Sequence, residues 1–377
     1  MPGGLFELRR DDITGWWVAV VVDRGFDRSR FALPAVQVPG GLERCQNCNL
    51  SPTPDRVWVR ALKPQAFTVA GGQREARDVR GEDREDRERE PGLGLLGDVG
   101  SWQTIVAPRG HHAPLHEERE AIVLDMLSLA REQIQVARAG SESAYLQVVQ
   151  NWGEQAGART NHLCLDFYDL PLIPHRVGEE LGGAARYVIR EGTCPFCRLV
   201  REEVANRQRL VFEDAASVCF APYASRSPFE LWIVPRHHQA DFGRATDDQL
   251  TSAAETLRKV LRLLATALDG PAYNLVLHTA PLHERVDETY HWHWEIHPRL
   301  RHIAGLELGT GLPVNPVGPE NAVEELLAAT MATMASMTTP TAPAAMARPN
   351  DPEDAREPAE AAPIGRSWDE FPRDAAR

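Results

Sequence analysis

The sequence predicts an α+β fold made of one unit used twice, with antiparallel sheets, helices packed against them, and one Cys2His2 zinc site per half. Three observations carry this reading. A CxxC pair occurs in each half, Cys45/Cys48 and Cys194/Cys197. Each pair is followed by a strand running into Pro-Arg-x-His (APRGHH from Ala107, VPRHH from Val234), then a helix, a strand and a final His-x-[Cys/His]-x-[Asp/Glu] strand. The spacings agree: 51 residues separate His111 from His162, and 53 separate His238 from His291. Three ordered motifs at matching intervals are the signature of an internal repeat.

Each element follows from local pattern. Trp16 to Val22, Trp102 to Ala107 and Tyr145 to Val149 read as strands of the first half. Glu117 to Ala139 places Ile122, Leu124, Leu127, Leu129, Ile134 and Val136 at helical intervals. In the second half, Val218 to Ala221, Glu230 to Val234, Asn274 to His278 and Trp292 to Ile296 read as strands, and Asp247 to Leu268 as a helix. Residues 1–185 form the first repeat and 186–330 the second. A charged insertion over about 74–92 lacks an apolar face and reads as disordered. It accounts for most of the difference between the 63 residues from Cys48 to His111 and the 41 from Cys197 to His238. Residues 331–377, rich in Ala, Pro, Thr and Met, read as a disordered tail.

Composition narrows the function. The 377 residues carry a formal net charge of −13, which argues against a general nucleic-acid binder. No stretch reaches the roughly 20 apolar residues that span a bilayer, and the N-terminus has no signal-peptide core, so a cytoplasmic protein without a membrane partner is expected. In that compartment CxxC pairs point to metal or redox chemistry. Zinc takes four thiolate or imidazole ligands in a tetrahedron. The expected sets are Cys45, Cys48, His111 (or His112) and His162 in the first half, and Cys194, Cys197, His238 (or His237) and His291 in the second. Both sites are closed by protein, so their role is structural.

Several segments together resemble the galactose-1-phosphate uridylyltransferase family of the histidine-triad superfamily. LRRDDITGWWVAVVVDR resembles its opening Arg-Arg-Asp-x-x-Thr-Gly-x-Trp segment. NWGEQAGARTNHLCLDF, Asn151 to Phe167, resembles its Asn-x-Gly-x-x-Ala-Gly-(x)3-His-Pro-His-x-Gln active strand. YNLVLHTAP and HWHWEIHPRL resemble its second-half segments, and LELGTGLPVNPVGPENAVEELL looks closest to the plant ADP-glucose phosphorylase branch. The resemblance covers about residues 6–328 apart from the insertion. It implies a duplicated histidine-triad-like unit, a homodimer, and transfer of a nucleotidyl group from a nucleotide-sugar to a sugar phosphate or phosphate through a covalent nucleotidyl-histidine.

The resemblance breaks at the reacting strand. His-Pro-His-x-Gln aligns with His162-Leu163-Cys164-Leu165-Asp166. His162 keeps the zinc-ligand position, Cys164 holds the nucleophile position, and Asp166 stands where Gln would donate to phosphate. Arg159 holds a small hydroxyl position. Three readings stand: Cys164 is a thiolate nucleophile, Cys164 is inert in a zinc-stabilised binding protein, or the chemistry has moved to His293, with Glu295 in the place of Asp166. The resemblance also implies substrate contacts at Asn151 and Gly153 and, loosely, at Arg24 and Arg28. It implies a further iron or zinc site from His278, His293 and Glu180 (or Glu179), with Glu295 able to complete it. A hydrolase, with water as acceptor, is a weaker alternative. On pattern alone Trp292 and Trp294 alternate as one apolar strand face, Cys219 reads as core, and His175, His283, His297 and His302 have no partner argument.

Overall fold

In the structure, a computed structural model, both halves contribute to a single nine-stranded antiparallel sheet. Residues 6–21, 45, 47–48, 56–62, 100–111, 113–140 and 143–338 are described; for 109–111 and 333–338 only the backbone is. The first half supplies β1 (Phe6–Arg10), β2 (Trp17–Val21), β3 (Trp58–Ala61), β4 (Ser101–His111), α1 (Glu120–Ala139), β5 (Tyr145–Trp152) and β6 (His162–Leu170). Then come α2 (His175–Glu191), α3 (Pro195–Asn206), β7 (Leu210–Glu213), β8 (Ser217–Phe220), β9 (Leu231–Pro235), α4 (Asp247–Leu268), β10 (Tyr273–His278) and β11 (His293–Pro298). The chain closes with α5 (Gly305–Thr310), β12 (Val314–Asn315) and α6 (Pro319–Thr338).

The strand order is β3-β4-β6-β5-β10-β11-β9-β8-β7. The central pair is β5 and β10, with Asn151 opposite Asn274 and Val149 opposite Val276. Outward from this junction β6 and β11 occupy equivalent places, and so do β4 and β9. These are the strand pairs that the sequence repeat aligns. A smaller sheet, β1-β2-β12, lies alongside.

Strand alternation sorts chemistry from core. On β6, Leu163, Leu165 and Phe167 join the main core beneath α1 and α4, which leaves Cys164 and Asp166 on the opposite face. On β11, Trp294 and Ile296 join the same core, and His293 and Glu295 face away from it. Helix α4 fits its expected span because Thr246 caps it in a reciprocal box with Gln249, and Leu250, Leu257, Val260, Leu261 and Leu264 bury one stripe.

Four helices, α2, α3, α5 and α6, were not expected from the sequence. Helix α2 contains Gly178, Gly182 and Gly183, which weaken helical propensity. Gly183 is required by packing: a Cβ there would sit 1.7 Å from the Ile13 carbonyl oxygen. Helix α3 begins with Pro195 at its first turn, just after Cys194. Helix α6 continues past residue 331 to Thr338. The insertion at 74–92, Arg24, Arg28, His112 and residues 339–377 lie outside the described residues. No described helix is long and apolar enough to cross a membrane.

Candidate active site and metal centres

The second CxxC opens α3, so the helix N-terminus favours thiolates at Cys194 and Cys197. Cys197 Sγ lies 3.3 Å from His238 Nδ1 and 3.6 Å from His291 Nδ1. A tetrahedral zinc with thiolate and imidazole ligands sets such separations at about 3.5 Å. His238 Nε2 donates to the Asp287 carbonyl at 2.7 Å, which leaves Nδ1 free of its proton and able to bind metal. The doublet is thereby resolved: His238 joins the cluster, and neighbouring His237 lines a separate cavity beside the start of α4. The Cys194 thiol and then His291 hold Cys197 down at about 3.

In the first half, Cys45, Cys48 and His162 cluster, with Cys48 Sγ 3.3 Å and Cys45 Sγ 3.8 Å from His162 Nδ1. His162 Nε2 meets the Ala107 carbonyl at 2.5 Å, the same arrangement as at His238. His111 pairs with His162 through the backbone of β4 and β6, and its side chain lies outside the described residues. The expectation of one Cys2His2 set per half is therefore corrected. Among the described residues the full set gathers in the second half and three donors in the first. Two further clusters appear, Glu180/His278/His293 and Glu230/Glu295/His297.

These two differ in what they can hold. In the first, His278 Nδ1 is 2.8 Å from Glu180 Oε2 and His293 Nε2 is 3.5 Å from Glu180 Oε1, all wholly buried. His293 Nδ1 donates to the His291 carbonyl at 3.0 Å, leaving a bare Nε2. Its donors fit a metal. In the second, Arg226 Nη2 sits 2.5 Å from Glu230 and 2.8 Å from Glu295, and Arg176 adds 2.9 Å to the same Glu295 oxygen. A guanidinium already neutralises these carboxylates, so this is an ion-pair network. Burial pulls His278 down, but Glu295 and Glu180 outweigh it and hold it up at about 10.

Two sequence expectations are corrected here. Glu295 is not gathered into the Glu180/His278/His293 cluster: Arg226 and Arg176 take its Oε2, and its Oε1 stands 3.9 Å from His293 Nε2. His293 is 0% exposed, stacked among Phe196, Trp232 and His278, so it cannot reach a substrate as a relocated nucleophile.

The β6 face is arranged differently. Cys164 is partly buried, and Asn47 Nδ2 donates to its sulfur at 3.2 Å. Arg60 in turn donates to Asn47 Oδ1 at 2.9 Å. Desolvation, reinforced by Asp166, pushes the Cys164 thiol well up. Burial also raises the Asp166 carboxyl, while Arg159 opposes it from 2.8 Å. The Arg159 guanidinium lies over the Trp102 ring at 4.4 Å. Sequence reasoning missed Asn47, Arg60, Trp102 and Thr104 here. Asn47 was in view, inside the CQNC motif, but counted only as spacer.

The loop before β6 keeps a defined shape. Gly153 has φ +82° and Gly157 φ +78°, with a short 3-10 turn at Glu154–Ala156 between them. Both conformations favour glycine. Asn274 Nδ2 donates to Asn151 Oδ1 at 2.6 Å and to the Ala156 carbonyl at 2.8 Å, and Arg299 donates to Asn274 Oδ1. The second half thus ties down the first half's loop.

Comparison with known proteins agrees with this architecture. No protein-family model matches the chain. It is 27% identical over 334 residues to ADP-glucose phosphorylase of Arabidopsis thaliana, spanning 84% of this chain and 91% of that protein. It is 26% identical over 190 residues to galactose-1-phosphate uridylyltransferase of Thermotoga maritima, which spans 48% of this chain and 59% of that protein. The crystal structure of an ADP-glucose phosphorylase from Arabidopsis thaliana with bound ADP-glucose superposes with a TM-score of 0.65 at 25% identity, covering 85% of this chain and 98% of that one. The chain is thus similar in sequence and in fold to these proteins.

Proposed function

We propose that the protein transfers a nucleotidyl group from a nucleotide-sugar to phosphate or a sugar phosphate, at the face of β6 that carries Cys164 and Asp166. The observation that supports this most is the Asn151–Gly157 loop. Its two positive-φ glycines present backbone without side chains, which suits close approach of phosphate oxygens, and it leads directly into the reacting strand. Arg159, stacked on Trp102, supplies a cation that an incoming phosphate would share with Asp166. In the transfer, Cys164 Sγ attacks the α-phosphorus, the bond to the sugar phosphate breaks and the thiol proton leaves with the departing phosphate; the acceptor phosphate then attacks the same phosphorus, breaks the S–P bond and collects the nucleotide. Zinc at Cys194/Cys197/His238/His291 and at Cys45/Cys48/His162 with His111 stiffens the scaffold and takes no part in the chemistry. A cytoplasmic setting keeps Cys164 reduced.

A second reading, nucleotide-sugar binding without transfer, is favoured by one observation: the Cys164 thiol is desolvated beside a carboxylate, both of which oppose thiolate formation. One experiment separates the two. The protein is incubated with ADP-glucose or UDP-glucose labelled at the α-phosphate, with and without phosphate. Covalent label that Cys164→Ala abolishes supports transfer. Saturable binding with neither label nor turnover supports the second reading, and absence of binding sinks both.

A further inference from the structure

Arg159 pairs with Asp166, Arg176 and Arg226 share Glu295, and Arg301 is taken by Glu307. Arg299 differs from these. Among the described residues no carboxylate pairs with it, and its side chain has one partner, the amide oxygen of Asn274, to which Nε donates. Its Nη1 and Nη2 protons meet no acceptor there. The guanidinium is half-buried, and burial alone lowers it from arginine's ordinary value. A cation held partly out of water without a counter-charge is costly, and a bound anion relieves that cost. The position suits a ligand of the Cys164 face. Asn274 alternates with Tyr273 and Leu275, which are core, so its amide lies on the face that carries Cys164 and Asp166. Asn151 alternates likewise with core Trp152 and stands opposite Asn274. Val149 pairs with Asp166, and Asn151 and Cys164 lie two residues further on at the same end of β5 and β6. Cys164, Asn151 and Asn274 thus come from three adjacent strands at one end of the sheet. Two strand spacings separate Asn274 from Cys164 by about 10 Å. The loop between Gly153 and Gly157 closes this end, tied to Asn274 through the Ala156 carbonyl.

We propose that Arg299 binds the non-nucleotide phosphate: the sugar phosphate that departs when Cys164 takes the nucleotidyl group, and the phosphate or sugar phosphate that enters next. The spacing divides the work. Arg159, on the reacting strand's side, serves the phosphate under attack, and Arg299, anchored two strands away, serves the group beyond it. No bond forms or breaks at Arg299. Its free Nη protons offer two parallel hydrogen bonds to phosphate oxygens, which a planar guanidinium can give and an ammonium cannot. Asn274, by holding Nε, aims that fork and is a positioning residue. The identity of the ligand rests on the transfer reading, and binding alone tests it.

The test measures equilibrium binding of glucose 1-phosphate, inorganic phosphate and AMP, whose nucleoside holds its phosphate at the Cys164 position. Arg299→Gln removes the charge and keeps an amide donor for Asn274. It should weaken glucose 1-phosphate and inorganic phosphate by at least about tenfold and leave AMP within about twofold. Arg299→Lys should recover only part of that loss. Equal losses for all three ligands overturn the proposal, because a slackened loop would produce them. So does phosphate binding that Arg299→Gln leaves intact, or wild-type protein that binds neither glucose 1-phosphate nor phosphate. Should Arg299→Gln not fold, Arg299→Lys decides: an unchanged affinity for glucose 1-phosphate overturns the assignment. Arg299-dependent phosphate binding without covalent label from the α-labelled nucleotide-sugar sinks the transfer step and leaves this site standing. Label without that dependence does the reverse.

Discussion

Strands β6 and β11 occupy equivalent places in the two halves and carry matched patterns: His162, Cys164 and Asp166 on one, His291, His293 and Glu295 on the other. Each places a carboxylate two residues after its central group, and each carboxylate is held by arginine. The difference is enclosure. Glu295 is 2% exposed and takes two arginines, with α2 and α3 packed over the face. Cys164 is only partly buried where His293 is 0% exposed, and Asp166, itself 6% exposed, takes a single arginine on a face that Arg60 and Trp102 share. The same pattern thus becomes an enclosed layer of ion pairs and metal-type donors in one half and a more open face in the other. Burial, more than residue type, assigns the roles.

That comparison can be broken in order of effect. The largest is expected for Cys197→Ala, which should lower bound zinc by one per chain and cost on the order of 5 kcal/mol in urea unfolding, since a closed metal site contributes directly to folding. An unchanged midpoint would show that the second-half layer is not held by metal. Next, Arg226→Met takes from buried Glu230 its guanidinium, leaves Glu295 to Arg176, His278 and His297, and should cost about 3–5 kcal/mol. Arg159→Met leaves one buried carboxylate, Asp166, without its cation and should cost the lower end of that range, about 3 kcal/mol. Equal losses in the two variants would erase the distinction drawn here.

On the open face, replacing Cys164 by His and Asp166 by Gln together supplies an imidazole nucleophile and an amide donor. Covalent nucleotidyl labelling should then rise roughly tenfold or more over wild type. A fall would mean that the thiol is the working nucleophile. The smallest effect is a control remote from both faces. Burial, then Arg262 and Arg258, hold His116 down at about 4 from an ordinary value of 6.5. It stays neutral in the folded chain while the unfolded chain takes a proton, so its contribution is present above about 6.5 and is lost as pH falls toward about 4. Thermal melts across that window should fall less steeply in His116→Gln.

The cysteine–histidine cluster of the second half was legible because a CxxC turn and a repeat spacing are local or periodic facts, and preferring His238 to His237 followed from aligning the halves. Helix α4 was legible because its cap and its apolar stripe lie within one segment. Helix α2 was hidden by its glycines, of which Gly183 is required by close contact with Ile13 far back in the chain. Arg226 and Arg176 were hidden for a related reason. Their partner Glu295 lies 69 and 119 residues away, and no local pattern marks an ion pair formed across that distance. Enclosure is the property that pattern could not supply, and it separates His293 from Cys164.

The junction of β5 with β10 has a consequence for how the chain can be divided. Antiparallel backbone hydrogen bonds run across it from Val148 and Leu277 to Trp152 and Tyr273, and Asn274 reaches over to hold Asn151. Each half alone would end in a bare, strongly β-forming edge, an invitation to pair with whatever strand is near. Made as two separate polypeptides, the halves should seek each other and reassemble along this seam, and one half made alone should close the same edge with a copy of itself.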